Sequence, residues 1–365
     1  VSGVFIREHA RAVSLFHDVV VVYSEGITPS LEKAYEIKDS IEDGLRTLRL
    51  YYRKPLLPKT AYFVYLWGMF RVFRQLTREG YRPDIIHAHI YSAGVPAVLL
   101  GRAFKIPVVV SEHFSGFSLG TMQGLELMKA RFVFNHADLV CPVSEDLRKR
   151  LESYKVKASF CVVPNAVDTS LFYPRKRSSV IRGDKKKILL VALLDSKKGV
   201  ACLLEALARL RKVRDDFFLD IVGDGPYRTE YEKLSCKLEL SDVVFFHGLK
   251  LKEEIAELMR QSDFLVLPSQ YETFGVVLVE AMACGKPVIG ADAGGPREII
   301  KEELGKLFSP GDFKDLASTI DYMLDHYQDY SSKEIARYAR ECYGYNFVGK
   351  KLDEVYKFLV SEGGN

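Results

Sequence analysis

The stretch DFLVLPSQYETFGVVLVEAMACGKPVIGAD, Asp263 to Asp292, decides the fold. DFLVLPS is a short, continuous apolar run closed by Pro268, which reads as a strand buried on both faces. GVVLVEAMACG reads as a helix that begins near Gly275 and stops at Gly285-Lys286-Pro287, because glycine accepts the left-handed cap and proline cannot continue the ladder. KPVIGAD is a second apolar strand. Strand, crossover helix and strand in this order make a parallel βαβ unit. Glu272 then lies in the loop just before the helix, and Glu280 lies inside it. The helix start offers unpaired N–H groups, approachable at Gly275, and so forms an anion site that suits a phosphate. Beside that anion, Glu272 could accept from sugar hydroxyls and Glu280 from the two hydroxyls of a ribose. Phe274, Val276, Val277 and Leu278 would pack the helix and wall the ligand. The plainer alternative has Glu272 capping the helix and Glu280 paired with a neighbouring lysine.

Outward from this unit the pattern repeats. HDVVVVYS, DIIHAHI, IPVVVSEH, ADLVCPVS and SFCVVPN precede it, and KKILLVALL, FFLDIVGDG and VVFFHG lead into it, with helical patterns between. Such alternation predicts α/β architecture with parallel sheets covered on both faces. It occurs twice, and a chain of 365 residues suits two cores. The basic, Pro- and Gly-interrupted run LFYPRKRSSVIRGDKKK, Leu171 to Lys187, reads as the linker between them. The expected organisation is a Rossmann-like domain over residues 1–178, a second over 179–341, and a terminal helix over 342–365 that packs back on the first. Ligands are expected at the strand C-termini facing the cleft between the two. Val1-Ser2-Gly3 reads as a turn followed at once by the helix VFIREHARAVSLF, so the strand that should open the first domain is missing. The expectation is a chain shortened at its start.

Composition excludes several classes. A net charge of +4 with no long basic run argues against nucleic acid. Six scattered cysteines without a C-x-x-C pair read as reduced, mostly buried thiols, hence a cytoplasmic setting, and no apolar run is long enough to span a bilayer. His87 and His89 alternate at one strand end. They suit a cleft lining, and a metal pair there lacks a third ligand at suitable spacing. His113 also ends a strand, as a functional or as a buried structural histidine. The GDGP turn at Gly223–Pro226 reads as a connection.

The chain resembles the family 4 glycosyltransferases, retaining enzymes of the glycosyltransferase-B fold with two Rossmann-like domains. The E-x7-E signature of that family is matched by ETFGVVLVE, Glu272 to Glu280. The likeness extends through SEHFSG, HADLVCPVSEDLRKRL, VVPNAVDTSLFYP, LLDSKKGVACLLEAL, IVGDGPYRTEYEKL and GGPREII. It implies a nucleotide sugar donor, a glycan or lipid-linked acceptor, and no required metal. It implies that Glu272 binds the hydroxyls of the donor sugar, Glu280 the ribose, and Lys198 the diphosphate, that His113 contacts the transferred sugar, and that Gly3 lies in a loop near donor phosphate and acceptor. The amides around Phe274, Gly275 and Val276 would border the diphosphate, Gly248 and Leu249 the base, and Asp292 to Glu298 would form a loop over the cleft. Where the family usually carries a diphosphate-binding arginine this chain has Leu193, with Lys197 and Arg297 as candidate compensating cations. Two alternatives therefore stand beside a transferase: a nucleotide-sugar-binding protein with weak turnover, and a nucleotide-sugar 2-epimerase.

The segment from Leu45 to Arg82 is basic and aromatic, with Arg46, Arg49, Arg53, Lys54, Lys59, Arg71, Arg74, Arg78 and Arg82 opposed within it only by Glu79. It reads either as core helices with a solvated basic face or as a peripheral docking surface for anionic lipid, over residues 46–82.

Overall fold

A computed structural model describes residues 4–27, 35–53, 58–175 and 185–362. The chain forms two compact units: one comprises Val1–Val143, Arg148–Val163 and Val348–Asn365, the other Ser144–Leu147 and Pro164–Phe347. The expected boundary near Ser178, like Gly3 and the opening turn, lies outside the described residues.

In chain order the elements up to residue 153 are α1 (Val4–Val13), β1 (Val20–Ile27), β2 (Tyr35–Glu42), β3 (Leu45–Arg53), α2 (Pro58–Arg78), β4 (Ile86–His89), α3 (Tyr91–Phe104), β5 (Val108–Glu112), α4 (Gly124–Phe134), β6 (Leu139–Pro142) and α5 (Glu145–Ser153). The first unit holds its strands in two three-stranded sheets. One is parallel, with order β4-β5-β6; the other has order β1-β3-β2, with β1 parallel and β2 antiparallel to β3. β5 is buried along its whole length, as its unbroken run of apolar residues requires. Helix α2 packs on β3 through Gly68, whose missing side chain leaves room for Leu50. SFCVVPN makes three backbone bonds along β6 yet forms only an isolated bridge at Phe160, not the regular strand expected.

The hairpin of β2 and β3 corrects the reading of the basic segment. Arg46 and Arg49 lie on a strand, opposite Ile41 and Lys38 in the antiparallel register, and reach acids offset along it: Arg46 bonds Asp39 of β2 and Glu79 after α2, and Arg49 bonds Glu42 of β2. These cations are neutralised within the sheet.

The remaining elements are β7 (Lys186–Val191), α6 (Val200–Leu210), β8 (Phe217–Val222), α7 (Arg228–Lys237), β9 (Val244–Phe246), α8 (Lys252–Gln261), β10 (Phe264–Leu267), α9 (Val276–Ala283), β11 (Val288–Ala291), α10 (Gly294–Ile299), β12 (Gly305–Phe308), α11 (Phe313–His326), α12 (Ser332–Tyr343) and α13 (Tyr345–Glu362). The second unit is a doubly wound parallel sheet of order β12-β11-β10-β7-β8-β9. Its core is Ile188, Leu190, Phe217, Leu219, Phe264 and Val266 with the apolar stripes of α6 and α11. At the N-terminal ends of its strands Arg214 bonds Asp216, Asp321 and Asp325, and Lys186 adds bonds to Asp216 and Asp325. α13 joins the first unit from Val348 on, where Gly349 lets its backbone approach Ala12 of α1. Of the six free cysteines only Cys141 and Cys284 are buried, and Cys236 is exposed, so the thiols are less buried than expected.

Candidate active site

The strand order of the second unit reverses between β7 and β10. Helices following these two neighbours leave to opposite faces, which opens a crevice at the strand C-termini. The turn after β7 is a single tight turn, Ser196–Lys198, capped by Asp195 and closed by Gly199. A Cβ on Gly199 would stand 2.0 Å from the Pro268 carbonyl oxygen, so the turn after β7 and the loop after β10 meet backbone to backbone. That contact brings Lys198 Nζ to 2.6 Å from Glu272 Oε1, with the two side chains 27% and 15% exposed. Glu272 is therefore bonded to a cation and does not cap the helix.

The loop from Glu272 to Gly275 is held by α10. The Gly295 N–H donates to the Glu272 carbonyl at 2.9 Å. A Cβ on Gly294 would fall 2.2 Å from that same oxygen, and one on Gly295 would fall 2.4 Å from Phe274 Cα. The diglycine thus serves close approach to this loop, and Gly294–Ile299 is a short helix rather than the expected loop over a cleft. Phe274 is buried, with its ring edge-on to Tyr343 of α12 at 5.6 Å, so it anchors the loop in the core instead of walling a ligand. Gly275, at φ 92°, turns the chain into α9. The first amides of this helix, from Val276 and Val277, have no acceptor within it, whereas Leu278 N–H already donates to the Gly275 carbonyl.

Glu280 projects from the second turn of α9, and Lys252 Nζ, at the first residue of α8, stands 3.9 Å from its Oε1. Lys252 escapes sequence reading because nothing in LKLKEE distinguishes it from Lys250. The lysine pairing that formed the plainer reading of Glu280 is present, and the carboxylate still borders the crevice helix. Gly248 accepts from Gly223 N–H at 2.9 Å, and Leu249 beside it is 66% exposed. The glycines of GDGP pack on Ala192 and Leu194, as a connection would. Leu193 between them is 56% exposed. Of the candidate compensating cations, Arg297 is tied to Asp292 on α10, whereas Lys197 is exposed and has no ion pair among the described residues.

In the first unit His113 follows β5 and is buried, with Nε2 3.2 Å from His89 Nδ1 and its ring 4.5 Å from that of Phe5. His87 stacks on His89, bonds Ser111 at 2.8 Å and meets the Tyr356 hydroxyl. Both its nitrogens are engaged, and no group of three or more ligating side chains among the described residues could hold a metal. Burial drives His87 down to about 3 and His89 well below its ordinary value. Glu112, absent from the candidates by sequence, accepts from the amides of Tyr91, His113 and Phe114 at 2.8–2.9 Å. Burial pushes its carboxyl up to about 7 against those three donors.

Solved structures share this fold. Sucrose-phosphate synthase from Thermosynechococcus elongatus superposes with a TM-score of 0.81 at 24% identity, covering 99% of this chain and 94% of its own. Anabaena HepE, solved in complex with UDP and glucose, gives 0.72 at 23% identity over 86% of each chain. The fold is the pair of Rossmann-like domains of the glycosyltransferase-B type. A model of glycosyl transferases group 1 matches residues 174–341, and one of glycosyltransferase family 4 matches residues 2–171. The chain belongs to the family 4 glycosyltransferases. The sulfoquinovosyl transferase of Arabidopsis thaliana is 30% identical over 80% of this chain and 59% of its own length. The alpha-monoglucosyldiacylglycerol synthase of Streptococcus pneumoniae is 27% identical over 76% of this chain and 66% of its own. The chain thus spans about three fifths to two thirds of these relatives.

Proposed function

We propose that the chain is a retaining glycosyltransferase that moves a sugar from a nucleotide diphosphate sugar onto an acceptor hydroxyl. The observation that carries this reading is the Lys198–Glu272 pair at the switch point, beside the open amides of Val276 and Val277. It supplies a cation for the diphosphate and a carboxylate for the sugar hydroxyls. In transfer the anomeric C–O bond to the leaving phosphate breaks while the acceptor oxygen bonds the anomeric carbon on the same face. The acceptor proton passes to a leaving phosphate oxygen. Negative charge grows on the diphosphate, where the helix start and Lys198 stabilise it without a metal ion. Glu272 holds the sugar and forms no covalent adduct; Glu280 holds the ribose. The first unit holds the acceptor, a glycan or a lipid, and the name of the Streptococcus relative supports the lipid. Donor consumption by wild type and by Glu272→Gln tests the reading, with turnover lost in the variant. A covalent sugar trapped on Glu272 would overturn the assigned role.

The second reading, donor binding with weak turnover, draws on Leu193 and on the commitment of Arg297 to Asp292. Calorimetry showing donor binding with no consumption across a panel of acceptors would favour it. The 2-epimerase alternative finds no support in the relatives above.

A further inference from the structure

Helix α2 buries Gly68, Val72, Phe73 and Leu76 against the first unit and exposes Phe63, Trp67, Arg71, Arg74 and Arg78. The exposed five recur at intervals of four, four, three and four residues, so they share one stripe. Its first half is aromatic: Phe63 is 71% and Trp67 55% exposed. Its second half is cationic, and none of the three arginines forms an ion pair among the described residues. With Tyr35 and Ile37 of β2 they line a concavity of about 290 Å³. Glu79 at its margin is already held by Arg46. The apolar half continues onto neighbouring helices. Lys129 of α4 sits 5.2 Å above the Tyr62 ring, and α4 exposes Leu125 and Met128 (73% and 64%), with Lys129 itself bonded to Glu126. Further along α2, Phe70 faces Phe104 of α3 at 6.3 Å, which is 43% exposed.

We propose that this face is a docking surface for a bilayer containing anionic lipid. The aromatic half enters the interface, where Trp and Phe are favoured, and the guanidiniums take lipid phosphates at the concavity, which planar bidentate groups match. No helix among the described residues is long and apolar enough to cross a membrane, so α2 lies on the surface and does not span. Two features select a bilayer over a soluble polyanion: exposed aromatics continuous with the cations, and apolar side chains from three helices on the same face. A polyanion needs only the charges. The inference needs neither donor binding nor turnover, so its failure and that of the proposed transferase reading are separate results.

Trp67 is the only tryptophan in the chain and sits on the stripe, so its fluorescence reports docking directly. Equimolar phosphatidylglycerol and phosphatidylcholine vesicles should shift its emission to the blue, and brominated lipid should quench it. Phosphatidylcholine alone should bind less, and added salt should weaken the anionic case. Replacing Arg71, Arg74 and Arg78 together by Gln should lower vesicle partitioning about fivefold per cation, on the order of a hundredfold in all. Phe63→Ser, which keeps the probe, should weaken it with little change in salt dependence. Absence of shift and quenching on anionic vesicles at low salt would overturn the proposal. So would unchanged partitioning in the triple variant, or wild-type binding to inorganic polyphosphate without binding to vesicles.

Discussion

Alanine in place of Gly295 tests whether α10 sets the position of Glu272. The new Cβ would stand 2.4 Å from both Cα and the carbonyl oxygen of Phe274. Carbon contacts relax only at about 3.5–4 Å, so the loop has to retreat by roughly 1 Å. Overpacking of this kind costs about 1–3 kcal/mol. The larger effect falls on function: the Gly295 N–H bond to the Glu272 carbonyl ties the displaced segment to the carboxylate. A misplacement of about 1 Å at a positioning group costs on the order of a hundredfold in rate. Gly295→Ala should therefore lower kcat/KM for the nucleotide sugar about a hundredfold, with a drop in Tm of several degrees. Gly44→Ala, in the β2–β3 turn at φ +80° with open space around it, supplies the control. It should lose about 1 kcal/mol to backbone strain with turnover unchanged. If Gly295→Ala is destabilised as expected yet turns over within about twofold of wild type, α10 only packs, and the reasoning fails.

Lys198→Ala should lower turnover by roughly 10²–10³, because it removes a cation aimed at the leaving diphosphate and strands the largely buried Glu272; stopped donor-consumption assays measure it. Leu193→Arg should raise turnover by about tenfold or more, since an exposed apolar side chain is exchanged for a charge at the crevice; the same assay decides. Folded His87 titrates near 3, so between pH 6.5 and about 3 the unfolded chain binds protons that the folded chain refuses. Stability is full above that range and lost on acidification through it, by on the order of a few kcal/mol, and urea midpoints should fall with pH less steeply in His87→Gln. Glu112 has the opposite sign. Its folded pKa is raised to about 7, so its contribution is present below about pH 4.5 and lost as pH rises through 7, a slope that Glu112→Gln should remove.

In the second unit β7 to β11 were legible because they are short, largely apolar runs between turn signals, and the E-x7-E stretch folds as read; β12, GKLF, has no β-branched residue and was not read as a strand. The β2–β3 hairpin was missed. YEIKDSIE carries too many charges to read as a strand, and its acids are there to meet Arg46 and Arg49 across the pair. The Asp43-Gly44 turn signal was available between them. At the site, Glu272 and the start of α9 were legible because they follow a strand end, and Lys198 was indicated by the family resemblance. Neither indicated Lys252 or Glu112, whose positions depend on which strand lies beside which. Gly294 and Gly295 sit where α10 meets the Glu272 loop backbone to backbone, a contact that depends on the spatial neighbourhood of the connections following β10 and β11.

The ionic lock around Arg214 ties the first residue of β7 and the turn just before β8 to α11, at the end of the sheet remote from the crevice. Networks of this kind resist loosening better than isolated pairs. The foundation of the second unit is thus fastened independently of its rim, so the turns at the strand C-termini are open to rebuilding by evolution or by design while the scaffold beneath keeps its register.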